Sequence, residues 1–116
     1  MRKEEENLKK SLVEYENLQK QLEVLLIQKH QVQLQLNEVK HALAELKKAK
    51  GDVYRSIGSV MVHTTREEAE KDLNEKEELL KVKMDAFTKQ EEKLRETVTV
   101  SQRELKKRLR KEKEEK

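Results

Sequence analysis

The side chains here best suited to chemistry are three histidines and a few adjacent acid pairs. His30, His41 and His63 would offer imidazoles to a metal or a proton, and Glu67, Glu68, Glu77 and Glu78 would offer paired carboxylates. Their spacing serves neither task. No two histidines stand at metal-ligand spacing, and adjacent acids on a helix surface have no pocket to perturb them. Cysteine is absent, which removes disulfides, thiol catalysis and cysteine-based metal sites. No glycine-rich phosphate loop is present, so nucleotide-driven cycling is not expected. The expectation is a protein that is not an enzyme and uses no metal or other cofactor.

Contact with phosphates is the remaining chemistry, offered by the basic stretch 103–113. No aromatic residue stands in that stretch to stack on a base, and acids interleave its cations. The net charge of +3 is a property of this end: residues 103–116 carry eight Lys or Arg against four Glu, leaving residues 1–102 near neutral. Nucleic acid is therefore a weaker expectation than a protein partner. A truncation after Gln102 would decide it, by abolishing or sparing any salt-sensitive binding of DNA or RNA.

The elements that must carry these residues are helices. Charged residues make up 44% of the chain, apolar residues 34% and aromatics 3%. That composition builds no globular core but suits long periodic helices. Proline is absent, and the only glycines are Gly51 and Gly58. The first helix is expected over 3–50, its regular part ending near Lys48. Its heptad a positions are Leu8, Tyr15, Leu22, Lys29, Leu36 and Leu43, and its d positions Ser11, Leu18, Leu25, Val32, Val39 and Leu46. Ten of the twelve are apolar or aromatic, a strong coiled-coil signal. Lys47, Lys48 and Lys50 suit the negative end of the helix dipole, and Gly51 offers a left-handed stop. A second helix, over 66–112, opens with Thr65 and Glu68 in capping-box spacing. Its seam reads Leu73, Glu77, Leu80, Met84, Phe87, Glu91, Leu94, Val98, Ser101 and Leu105.

Residues 53–64 interrupt the helical pattern and read as a β-hairpin. Val53, Tyr54, Ile57, Val60, Met61 and Val62 are strand formers, and Gly58 permits a tight turn. An isolated two-stranded hairpin is marginal in water, and this chain has no other strand to offer it. The expected fold is therefore mainly α, an antiparallel two-helix coiled coil with a central β-hairpin that joins an intersubunit β-barrel platform. Those six hairpin residues are the expected oligomer interface. A local cap on the coiled coil is the blander alternative for the hairpin, and a parallel two-chain rod is the alternative for the helices. Antiparallel pairing sets Lys29 close to Phe87 and Glu91, where a Lys29–Glu91 pair would fix the register. It also brings both chain ends together, with Leu8 near Leu109. Leu8, Leu12 and Val13 on the first helix and Val98, Val100, Leu105 and Leu109 on the second form an apolar cluster there. These seven are the expected substrate-binding residues. The β-branched run 97–100 lowers helix propensity, and fraying there would expose the seam further.

The segments 15–22, 28–36 and 53–65, taken together, resemble the beta subunits of the prefoldin family. The resemblance spans about 8–109; the hairpin motif is the specific part of it. A single short hairpin instead of two points to the beta class and not the alpha class. The resemblance implies one prefoldin-like domain in a hexamer of two alpha and four beta subunits, with a double β-barrel body and six free arms. It also implies an ATP-independent holdase that captures unfolded client proteins at the arm tips and delivers them to a group II chaperonin. The basic residues 106–116 depart from the family pattern. With no apolar run of membrane-span length and no secretion signal at Met1, a soluble cytoplasmic protein without membrane partners is expected. A structural or adaptor coiled coil is the alternative from another class; there, polar replacements of the clustered leucines would leave activity unchanged.

Overall fold

The computed structural model describes residues 2–114, as α1 (Arg2–Lys48), β1 (Val53–Ile57), β2 (Val60–Thr64) and α2 (Arg66–Glu114). The chain divides into two compact units. One combines residues 2–29 with 87–114, and the other is His30–Ala86.

In the first unit α1 and α2 run side by side in opposite directions. Lys3 and Asn7 share a groove with Arg108 and Lys111, and Lys29 Nζ donates to Glu91 Oε1 at 2.9 Å. The register pair expected from the sequence is thus formed. Leu25, Leu105 and Ser11 are buried; Leu8, Tyr15, Leu18, Leu22, Phe87, Leu94 and Val98 are half-buried. The seam then continues through Arg108 and Glu112, both half-buried, while Leu109 is exposed. Of the pair Leu8 and Leu109, expected to stand near each other, Leu8 is half-buried and Leu109 is exposed. Steps of three and four from Leu105 lead to Arg108 and Glu112, and the apolar side chain at 109 falls off that stripe.

The run 97–100 does not interrupt α2. Thr97 Oγ1 donates to the Lys93 carbonyl at 3.0 Å and Thr99 Oγ1 to the Arg95 carbonyl at 2.9 Å. Each hydroxyl thereby finds an acceptor one turn back without leaving the helix.

In the second unit the stripe is better covered. Val32, Leu36, Val39, Leu46 and Leu80 are buried, with Leu43, Leu73, Glu77 and Met84 half-buried. The helix segments share a groove lined by Leu43 and Lys47 from α1 and Asn74 and Glu77 from α2, again antiparallel. The first helix stops at Lys48, short of residue 50, and Gly51 takes φ +111° three residues on. That conformation favours glycine. Thr65 Oγ1 accepts from the Glu68 amide at 3.1 Å, the N-cap bond expected of it. The Glu68 carboxylate, which a full capping box would turn back to the Thr65 amide, accepts from Thr64 Oγ1 at 3.2 Å.

β1 and β2 pair antiparallel, Val53 with Thr64, Tyr54 with His63, Arg55 with Val62, Ser56 with Met61 and Ile57 with Val60. Gly58 and Ser59 form the two-residue loop. Gly58 has φ +60° and Ser59 does not have positive φ, the signature of a type II′ turn, whose twist suits a hairpin.

Candidate functional site: hairpin edges and helix ends

Strand alternation distributes the hairpin side chains over two faces. Val53, Arg55, Ile57, Val60, Val62 and Thr64 share one face; Tyr54, Ser56, Met61 and His63 share the other. Both faces carry apolar groups, the pattern of strands meant to be covered on both sides. In this chain they are open. Tyr54, Ile57, Val60, Met61 and Val62 are exposed by 54%, 54%, 57%, 64% and 43%, and only Val53 is half-buried. Every expected interface residue except Val53 is thus solvent-facing, in a sheet with two unpaired edges.

Polar contacts fix how the hairpin is held. Arg55 Nη1 bonds Asp72 Oδ2 on α2 at 3.1 Å, tying β1 to the start of the second helix. His63 packs edge-on against Tyr54 with ring centroids 5.5 Å apart, and its Nε2 lies 3.5 Å from Asp52 Oδ1. His30 and His41 are exposed on α1. Among the described residues no group of three His, Asp or Glu is placed to hold a metal ion.

At the ends of the helices the seven expected residues separate into two sets. Leu12, Val13, Val100 and Leu109 are exposed, by 44%, 55%, 62% and 47%. Leu8 and Val98 are half-buried and Leu105 is buried, so these three serve the seam in this chain. Sequence reading passed over other exposed apolar side chains: Val24, Ile27 and Leu34 on α1, Leu79 and Val82 on α2. Val13, Ile27 and Leu34 recur at one heptad position, opposite the seam. A search for a second seven-residue phase would have found them.

The Lys29–Glu91 pair has a third member, since Arg95 Nε bonds Glu91 Oε2 at 2.8 Å. The Arg95 hydrogen bond, then that of Lys29, holds the Glu91 carboxyl below the usual carboxylate range. The charge at the seam is therefore satisfied from both helices.

The match to a family model described as prefoldin subunit covers residues 5–112. The chain is 40% identical over 89 residues to prefoldin subunit beta of Pyrococcus furiosus, covering 75% of this chain and 76% of that protein. It is 33% identical over 96 residues to prefoldin subunit beta of Archaeoglobus fulgidus, covering 81% and 83%. The crystal structure of the prefoldin beta subunit from Thermococcus strain KS-1 superposes with a TM-score of 0.82 at 35% identity, over 90% of this chain and 93% of that one. The beta2 subunit from the same strain gives 0.70 at 20% identity, over 76% and 96%, a likeness of fold. Two long helices flanking one exposed hairpin, the sequence identity and the superposition lead to one assignment: the chain belongs to the prefoldin family of chaperone subunits and has the fold of its beta class.

Proposed function

We propose that this chain is a beta-type subunit of a cytoplasmic hexamer, two alpha and four beta, that holds unfolded polypeptides without ATP and passes them to a group II chaperonin. The observation that carries this reading is the open hairpin. Five of its six apolar side chains face water and both its edges lack partners. Pairing with sister hairpins and an alpha-type subunit covers those groups and satisfies the edges.

The exposed Leu12, Val13, Val100 and Leu109 support capture at the helix ends. Each offers little apolar area, so a single contact is weak and release needs no chemistry. Several such contacts on one assembly raise the effective concentration of the next, and weak patches sum to a useful hold. Clients are recognised by burial of exposed apolar segments, with little demand on shape.

Two measurements test the reading. Native mass of the chain with a co-expressed alpha-type subunit should give a hexamer; a monomer under every condition refutes the assembly. Light scattering of a refolding client should rise when Leu12, Val13, Val100 and Leu109 are all replaced by Ser. Suppression that survives this change refutes capture at the helix ends.

A further inference from the structure

We propose that the end of α2 carries an apolar groove ringed by cations, which favours unfolded segments whose apolar residues are flanked by Asp or Glu. This rests on the holdase reading and names the chemistry of its clients. Leu109 is 47% exposed, and Lys106, Arg110, Glu112 and Lys113 line the same groove. On a helix Lys106 and Lys113, three before and four after Leu109, share its face, and Arg110, the next residue along, lines the groove from its side. Glu112, the one acid of the lining, is half-buried on the seam side.

Among the described residues no ion pair involves Lys106, Arg110 or Lys113, whereas Arg108 pairs with Glu104 at 3.5 Å. Compensation of the helix dipole explains cations in the last turn, where Lys111 and Lys113 stand. It does not explain Lys106, which lies further back than that effect reaches. The other helix of the same unit has a similar groove with one acid in it: Val13, 55% exposed, shares it with Lys9, Lys10, Glu14 and Leu18. An apolar side chain set among unpaired cations is complementary to an apolar side chain set among carboxylates. A nucleic acid would leave Leu109 without a role, and no aromatic residue stands at this end of α2 to stack on a base.

The test uses the full chain in its assembled complex and two labelled unfolded peptides with identical apolar residues, one flanked by Glu and one by Lys. Fluorescence anisotropy gives both affinities at low and high salt. With each exposed cation–carboxylate contact worth roughly a factor of two, three contacts should favour the Glu-flanked peptide about eightfold at low salt. The preference should shrink at high salt. The combined variant Lys106→Gln, Arg110→Gln, Lys113→Gln should lose the preference, through weaker binding of the Glu-flanked peptide and relief of repulsion toward the Lys-flanked one. Leu109→Ser should weaken both peptides alike. Equal binding of the two by the unmodified complex, or a preference that survives the triple variant, overturns the selection while leaving capture intact. Failure of both peptides to bind overturns capture and the selection with it. A single-stranded RNA that binds more tightly than the Glu-flanked peptide, and only with the three cations present, assigns them to nucleic acid and overturns the proposal.

Discussion

Replacing Ile57 and Val60 by Lys tests whether the hairpin is the assembly surface. The two residues are cross-strand partners next to the turn, exposed by 54% and 57%. Fully burying a Val or Ile side chain contributes about 2 kcal/mol, so covering the remaining half of each contributes about 1 kcal/mol. The double change therefore removes about 2 kcal/mol per hairpin, roughly a thirtyfold rise in the dissociation constant for this subunit. That is a lower bound. Two ammonium groups directly opposite one another repel, and enclosing either in a platform carries a desolvation cost of several kcal/mol.

Sedimentation velocity over a concentration series, with an alpha-type partner present, reads the shift as dissociation into smaller species. Circular dichroism should show the helices retained, because the changed residues lie outside both of them and face solvent. Leu79→Lys with Val82→Lys is the matched control. These side chains are exposed by 57% and 67% on α2, so the same added charge away from the hairpin should leave the assembly mass unchanged. An unchanged dissociation constant in the hairpin variant, or an equal loss in the control, refutes the assignment of the hairpin as the joining surface.

The other predictions concern the coiled coil. Leu80→Ala removes the most deeply buried apolar side chain, 3% exposed, and should lower stability by about 2–3 kcal/mol, whereas Val82→Ala should stay within about 0.5 kcal/mol; thermal unfolding of the assembled protein compares them. Thr65→Ala removes the bond to the Glu68 amide and should cost about 1 kcal/mol, read as a lower melting temperature. The lowered Glu91 carboxyl makes a contribution to stability that is fully present above its unfolded-state pKa and is lost as pH falls through its folded value. Arg95→Gln should raise that carboxyl toward the usual range, and Lys29→Met should raise it less; an NMR titration of the Glu91 side chain follows both. A Glu91 pKa unmoved by either change refutes the assigned cause.

The seam was legible because its period is strong. All twelve a and d positions of α1, Lys29 and Ser11 included, are withdrawn from full exposure, as are all ten seam positions named on α2. The hairpin was legible because β-formers and Gly58 interrupt a helical pattern that contains no other glycine except Gly51. The misplaced details have local causes. At the end of α2 the seam named from the sequence stopped at Leu105, while helix geometry continues it to Arg108, whose stem can cover the seam while its head stays near Glu104. At the start of α2 two adjacent threonines compete for Glu68, and a motif read from spacing alone does not say which hydroxyl takes the carboxylate. The second apolar phase of α1 was masked by the stronger one that shares its repeat.

The distribution of buried side chains bears on how the proposed subunit would be both firmly assembled and permissive toward clients. Of the seven buried apolar side chains among the described residues, five belong to the unit that contains the hairpin and two to the unit that contains the helix ends. Local opening is cheapest where few apolar contacts must be broken. The unit with the helix ends therefore has the lower local stability, and its half-buried Leu8 and Val98 are the side chains that a small opening would add to Leu12, Val13, Val100 and Leu109. Under the proposed holdase reading, such an opening would enlarge the capture surface at the expense of few buried contacts. The better-covered unit holds the hairpin in place by its own seam and by Arg55 on Asp72. Under that reading, division of the two proposed tasks follows from where leucine and valine fill the stripe and where serine, arginine and glutamate replace them.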